Sequence, residues 1–134
     1  MIPDLQASVL CDDVRQENNG KFMLIGIFDA LAVGRLPATS LKICVVNRWC
    51  CGQGMFKQST RIVGPDGQTA IATGREVDIR LASDVQTATS VEIFINPKFD
   101  KEGTYWVEIN LDGQLRMRYP FVIRLAQQVP GEKK

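Results

Sequence analysis

The sequence predicts an all-β domain, an antiparallel β-sandwich of Ig-like or related Greek-key type with about eight strands. The first observation is an alternation over residues 115–125, in which every second side chain is apolar: Leu115, Met117, Tyr119, Phe121, Ile123 and Leu125. Because neighbouring side chains of a strand point to opposite faces, this spacing places one face on a core and leaves arginines on the other.

The second observation is that the same alternation occurs just upstream, at Tyr105, Val107, Ile109 and Leu111. Asp112-Gly113 separates the two runs and is a hairpin signal. A two-residue loop there would set Ile109 opposite Arg116 and mix the two faces. A three-residue loop, with Gly113 in a left-handed bulge, sets Ile109 opposite Leu115 and is our prediction. We expect the core to include Tyr105, Val107, Ile109, Leu115, Met117, Phe121 and Ile123.

Turn signals define the first four strands in order. Residues 5–11 form an apolar run that Asp12-Asp13 is expected to end, and the polar residues 15–20 finish in Asn-Gly, which favours a turn. Residues 22–28 are apolar on both faces, which is typical of a strand covered on both sides or packed on an edge partner. Residues 41–49 follow Pro37, and their apolar side chains Leu41, Ile43 and Val45 again recur at every second position. Residues 56–63 lead into the turn Gly64-Pro65-Asp66-Gly67.

The next segments complete the set. Residues 71–81 return from that turn with Val77, Ile79 and Leu81 on one face, and residues 91–95 precede the loop 96–103. The final hairpin supplies the last two strands. A short helix over residues 29–37 or 82–86 is an alternative to irregular structure at those places.

Size and charge indicate one ordinary globular unit. The 134 residues are enough for a single core, so we expect one domain over 1–134 with a flexible tail at 128–134. Hydrophobic residues make up 45% and charged residues 23%, which argues against disorder. The formal net charge of +1 gives no field that would recruit nucleic acid or an acidic membrane. We therefore expect neither as a partner.

Histidine is absent, and this excludes a Ser-His-Asp or Cys-His catalytic pair and the commonest ligand of zinc, copper and non-haem iron. We expect no enzymatic activity and no cofactor. The first residues lack a basic start followed by an apolar run, and no segment has the ~20 apolar residues of a membrane helix, so a cytoplasmic location is expected.

The four cysteines, Cys11, Cys44, Cys50 and Cys51, are interpreted as free structural thiols of a reducing compartment. A thiolate metal or redox site is the alternative. Its spacing is unfavourable, because zinc sites pair cysteines two to four residues apart and adjacent cysteines point to opposite faces of a strand.

Carboxylates at predicted strand ends are the candidate metal ligands. Sandwich domains can gather such groups at one end to bind Ca²⁺, which takes six to eight oxygen ligands. Asp12, Asp13 and Asp100 are the candidates if their loops share an end. The alternative is structural, because aspartate is common at turns, where it bonds its own backbone.

Trp106 is the candidate interface residue. It stands on the face of its strand that also carries Glu108 and Asn110, away from the predicted core. Such a tryptophan covers a second sheet, lies at a subunit contact or stacks on a sugar. A homodimer through Trp106 or the second apolar face of residues 22–28 is our hypothesis, and a cover formed by residues 29–37 is its competitor.

Three segments also resemble a known family. They are residues 10–29, from Leu10-Cys11-Asp12-Asp13 to Gly26-Ile27-Phe28-Asp29, the turn at 64–67, and residues 103–122. The chain is similar to uncharacterised bacterial β-sandwich domains of unknown function. This resemblance implies the fold and a bacterial origin and transfers no catalytic residue.

Together these observations favour a non-enzymatic binding or structural module that takes part in protein–protein interaction. The alternative function is a Ca²⁺- or small-ligand-binding sandwich that uses the acidic strand-end loops. A histidine-free hydrolase is a third hypothesis, which no arrangement of residues supports.

Overall fold

The computed structural model describes residues 2–126, so the tail expected at 128–134 lies outside the described residues. The described residues form twelve β-strands: β1 (Asp4–Gln16), β2 (Phe22–Ile27), β3 (Ala30–Val33), β4 (Ala38–Thr39), β5 (Lys42–Cys50), β6 (Gly54–Val63), β7 (Ala70–Thr73), β8 (Val77–Leu81), β9 (Ala88–Ile95), β10 (Lys98–Phe99), β11 (Gly103–Leu111) and β12 (Gln114–Leu125). Within this range no helix is long and apolar enough to cross a bilayer.

Two sheets pack face to face, which confirms the all-β prediction. The first sheet has the order β2-β1-β5-β9 and is antiparallel throughout. The second has the order β3-β12-β11-β6-β7, and β8 pairs with the other end of β6. Its β3 runs parallel to β12, and β4 and β10 form a separate two-stranded bridge. The count of twelve exceeds the expected eight mainly because several strands are only two to five residues long.

The core fills the space between the sheets. Leu10, Ile43, Val45 and Trp49 come from the first sheet and pack against side chains of β6, β8, β11 and β12. The predicted core is confirmed at Tyr105, Val107, Ile109, Phe121 and Ile123, which are all buried, and Met117 packs against the core while partly exposed. Leu115 was predicted wrongly, because 54% of it is exposed.

The hairpin between β11 and β12 explains the error at Leu115. Leu111 pairs with Gln114, and Asp112 and Gly113 form a two-residue turn with φ of 49° and 80°. Asn110 pairs with Leu115 and Ile109 with Met117, so Arg116 is the extra residue of a β-bulge. The predicted three-residue loop is therefore wrong: the offset lies on β12, and it turns Leu115 to the outer face beside Asn110.

Three other segments differ from expectation. β1 continues through Asp12 and Asp13, where Lys42 of β5 pairs with the Asp13 carboxylate. Residues 71–81 divide into β7 and β8. The Gly74 N–H still donates to the carbonyl of Thr60, 2.8 Å away, in the register of Thr73 with Arg61, whereas β8 begins with Val77 opposite Gln58, one residue out of that register. Residues 29–37 contain β3 in place of a helix, and its pairing with β12 puts this segment on the second sheet, away from β2.

Candidate functional site

The outer face of the first sheet is apolar as well as its inner face. Leu10, Ile43 and Val45 point into the core, so their neighbours Cys11, Cys44 and Val46 point outward. These three are nevertheless buried, because Val14, Leu24 and Val91 pack against them in a second, small hydrophobic cluster. The strand pattern of a half-solvated sheet would have placed polar side chains there.

Exposed isoleucines flank this cluster at both margins of the sheet. In one cross-strand row Ile27 pairs with Cys11, Cys11 with Cys44, and Cys44 with Ile93. In the next row Ile25 pairs with Asp13, and Ile95 pairs with Lys42. Directly opposed residues share a face. We call the three side chains Ile27, Ile93 and Ile95 the isoleucine face. Each is between 53% and 64% exposed.

A charged pair lies in the middle of the second row. Lys42 Nζ is 2.7 Å from Asp13 Oδ1, and Arg15 Nε is 2.9 Å from Asp13 Oδ2. The hydrogen bonds from Lys42 and Arg15 lower the pKa of Asp13 well below its usual range. The same contact with Asp13 raises the pKa of Lys42. The pair is thus fully charged at neutral pH and sits between the two isoleucine margins.

The structure does not bring the calcium candidates into one ligand set. Asp13 is held by Lys42 and Arg15, and Asp12 lies against Gly26, where an added Cβ would overlap its carboxylate. Asp100 lines a different cavity of about 180 Å³ with Asp66. Among residues 2–126 no three acidic or thiol side chains are grouped so that they could hold a metal ion. The expected loop position is also wrong for Asp12 and Asp13, which lie inside β1.

Trp106 lies on the outer face of the second sheet, half-buried. The guanidinium of Arg118 stacks over its ring, with Cζ 4.6 Å from the centroid. Arg118 also approaches Glu108 at 3.5 Å, and Arg61 binds the other oxygen of Glu108 at 2.6 Å. The tryptophan is therefore covered by Arg118 of the neighbouring strand β12 and belongs to a charged surface.

The cysteines form two pairs, and all four are free thiols in the structure. Cys11 and Cys44 face each other across β1 and β5, and burial raises the pKa of Cys11 to about 11. Cys50 and Cys51 lie at the end of β5, where their sulfurs are 3.4 Å apart and Cys51 is exposed. A protonated, buried thiol is unreactive, so Cys11 and Cys44 contribute to the packing of the small hydrophobic cluster.

The sequence pattern missed a cluster of buried polar side chains between the sheets: Asn47, Gln58, Thr60, Ser90 and Glu92. Glu92 is the only acidic member, and the alternation of Val91, Ile93 and Ile95 in the sequence indicates a strand without indicating that Glu92 is buried. Those three point outward, and the inward residues of β9 are Ser90, Glu92 and Phe94. The available signal was a lone carboxylate inside the otherwise apolar run 91–95.

Comparison with known proteins gives a family and no activity. No curated protein matches the chain. A family model described as a family of unknown function, DUF6941, matches residues 6–124, which run from β1 to β12. This extent agrees with the resemblance noted in the N-terminal and C-terminal segments. With nearly every strand inside the match, the chain belongs to the DUF6941 family of unknown function.

Proposed function

We propose that the protein is a non-enzymatic interaction module of the bacterial cytoplasm, that it binds neither nucleic acid nor membrane, and that its partner is a second copy of the same chain. The observation that carries the proposal is the isoleucine face. Soluble monomers rarely leave several large apolar side chains exposed on one sheet face, and a largely apolar face typically marks an interface. The absence of histidine and the net charge of +1 support the other parts of the proposal.

The charges of this face are compatible with binding to a second copy of the same face. Between the margins of the isoleucine face, Asp13 lies beside two basic residues, Lys42 and Arg15, so both charge signs are present. In a two-fold contact the same surface serves both subunits, so each Asp13 can approach the Lys42 of the other copy while the isoleucines are covered. A face with a single charge sign would repel its own copy.

The position of the face in the fold also suits self-association. β2 is the end strand of the first sheet within the described residues, and it carries Ile27. An end strand presents unpaired backbone groups, which natural proteins cover, blunt or pair. Residues 29–37, the competing internal cover, lie on the second sheet. Trp106 is stacked beneath Arg118, so the isoleucine face is more accessible to a partner than Trp106 is.

The free thiols support the proposed cytoplasmic location. Four unpaired cysteines, one of them exposed, are typical of a reducing compartment.

Light scattering at micromolar concentration tests the oligomeric state. We expect a mass of twice the 14.9 kDa monomer. Ile27→Asp should give a folded monomer, because a charge would be buried at the contact. Leu115→Asp is the matched control, since Leu115 and Ile27 are similarly exposed, at 54% and 61%, on different sheets. Leu115→Asp and Trp106→Ala should both remain dimeric.

Two results would overturn the proposal. One is a mass of 14.9 kDa for the unmodified protein across the concentration range. The other is a dimer that Ile27→Asp leaves intact, or that Leu115→Asp disrupts to the same degree. Circular dichroism of each variant separates a lost contact from a lost fold.

A further inference from the structure

Cys50 and Cys51 form a pair of thiols at the surface, where β5 ends. Cys50 is the last residue of β5 and is half-buried, and Cys51 follows it in the turn toward β6, with its side chain exposed. Cys51 donates its S–H to Cys50 Sγ, and the two sulfur atoms are 3.4 Å apart. The proposed self-association uses neither thiol, so this pair is a separate feature of the molecule.

The backbone conformation of Cys51 explains why the two sulfurs are close. Along a regular strand, neighbouring side chains point to opposite faces, which would separate these thiols. Cys51 has a φ of 63°, a left-handed conformation that residues other than glycine adopt only occasionally. This conformation ends the alternation of the strand, and the Cys51 side chain lies beside that of Cys50.

The backbone on both sides of the pair is held in place. Cys50 pairs with Asp4 of β1, so β5 is still part of the sheet at this residue. Gly52 is buried against Pro3, and a Cβ atom at residue 52 would lie only 2.7 Å from Pro3. The two thiols therefore have less freedom to move apart than they would have in a flexible peptide.

The separation of the sulfurs discriminates among the groups that two thiols can hold. A disulfide needs an S–S distance of about 2.05 Å and usually Cα atoms at least about 4.4 Å apart, whereas adjacent Cα atoms are about 3.8 Å apart. Two thiolates on tetrahedral zinc, with bonds of about 2.3 Å, are about 3.8 Å apart. Trivalent arsenic forms sulfur bonds of similar length at angles slightly above a right angle, which places its two sulfurs about 3.4 Å apart.

The number of available donors favours the same element. A structural zinc site takes four protein ligands. Among residues 2–126 no three thiol or acidic side chains are grouped so that they could hold a metal ion. A trivalent arsenical that carries one organic group needs only two further ligands, and as a soft acceptor it prefers sulfur.

We propose that Cys50 and Cys51 form a binding site for trivalent arsenicals that carry one organic group. Arsenic forms one bond to each sulfur while the two As–O bonds of the hydrated arsenical break. Each thiol proton leaves with one hydroxide as water, so two water molecules are released. No atom changes its oxidation state, and the reaction needs neither an oxidant nor a reductant. Cys11 and Cys44 are buried and take no part in the native protein.

The test is a titration of the native full chain with phenylarsine oxide. We expect one phenylarsenic group per chain by intact-mass spectrometry. The two thiols that react with an alkylating reagent in the native protein should be lost at the same time. Competition with dithiothreitol, which offers two thiols of its own, measures the affinity.

Three variants separate this site from the buried thiols. Cys50→Ser and Cys51→Ser each remove one arsenic–sulfur bond and should weaken binding at least about a hundredfold, because the advantage of an intramolecular second bond is lost. Cys44→Ala is the matched control, since it removes one thiol of the buried pair, and it should bind as the wild type does. Circular dichroism checks that each variant is folded.

A peptide tests the contribution of the folded turn. Acetyl-Trp-Cys-Cys-Gly-amide has the local sequence without the surrounding structure, and it should bind at least about tenfold more weakly than the protein because its sulfurs are not held together. The proposal fails if the native protein takes up no phenylarsenic group, or if a folded serine variant or the peptide binds as tightly as the wild type. It also fails if folded Cys44→Ala loses as much affinity as the serine variants.

Discussion

Phe121 shows how much one residue contributes to this core. Its ring lies among Phe28, Phe99 and Tyr105, with centroid distances of 6.4, 6.2 and 5.8 Å. Aromatic rings that meet edge to face add to the free energy of burial. Because the surrounding rings belong to the loop after β2, to β10 and to β11, Phe121 joins parts of the chain that are distant in sequence.

We predict that Phe121→Ala lowers the free energy of unfolding by about 3–5 kcal/mol, since it leaves a cavity that rigid neighbours cannot fill. Denaturant unfolding measures the loss. Leu115→Ala, at an exposed position on the same strand, is the control and should change stability by less than about 0.5 kcal/mol. A loss below about 1 kcal/mol for Phe121→Ala would mean that this face is not core.

Glu92 is predicted to make stability depend on pH. Burial raises its pKa above the ordinary 4.5, so the folded protein holds this proton more tightly than the unfolded chain does. The group therefore favours folding below pH 4.5, and this advantage is lost as the pH rises through the folded-state pKa. Glu92→Gln should gain stability relative to wild type as the pH rises. Urea unfolding at several pH values would contradict this if the difference fell with rising pH.

At the scale of elements, the alternation predicted β11 and β12 because the period of a strand is a local property. It could not predict the bulge at Arg116, since one extra residue leaves both patterns intact and changes only which residues meet. The candidate sites were harder still. Glu92, Gln58 and Gly74 lie on three segments that only tertiary packing brings together. The alternation within a single strand likewise cannot predict that both faces of β1 and β5 are buried.

Because of the bulge, deletions of different residues in β12 should reduce stability by different amounts. Removing Arg116 should leave Asn110 opposite Leu115 and Ile109 opposite Met117, so we expect a folded protein that loses no more than about 2 kcal/mol. Removing Arg118 absorbs the bulge, turns Arg116 toward Ile109 and moves Met117 outward. An unpaired charge facing the core should cost several kcal/mol more. Thermal unfolding of both variants compares them, and equal stability would refute the assignment of Arg116 as the extra residue.

At the scale of the whole molecule, the first sheet combines a buried outer cluster with the isoleucine face, and the second sheet has a polar outer face with Arg61, Glu108 and Arg118. The two surfaces of the sandwich therefore differ in chemistry although the core between them is shared. Interaction through the first sheet leaves the second in contact with solvent.

The reactivity of the four cysteines tests whether the outer cluster of the first sheet is buried in the native protein. In native protein we expect alkylation of Cys50 and Cys51 alone, because Cys11 and Cys44 are buried and the pKa of Cys11 is raised to about 11. After denaturation without reductant all four should react. Mass spectrometry counts the labels. A disulfide, bound zinc, or rapid native labelling of Cys11 would contradict the prediction.

The parallel pairing of β3 with β12 has a consequence for biosynthesis. β3 is made early, yet one of its edges is completed by Val122, Ile123 and Arg124, and β12 is also the partner of β11. Translation proceeds from the N-terminus, so the ribosome must release β12 before the second sheet can close. A stalled nascent chain that ends before Gln114 is expected to be digested by protease even where β1, β2 and β5 are already outside the tunnel. We therefore expect the domain to become protease-resistant only after β12 has left the ribosome.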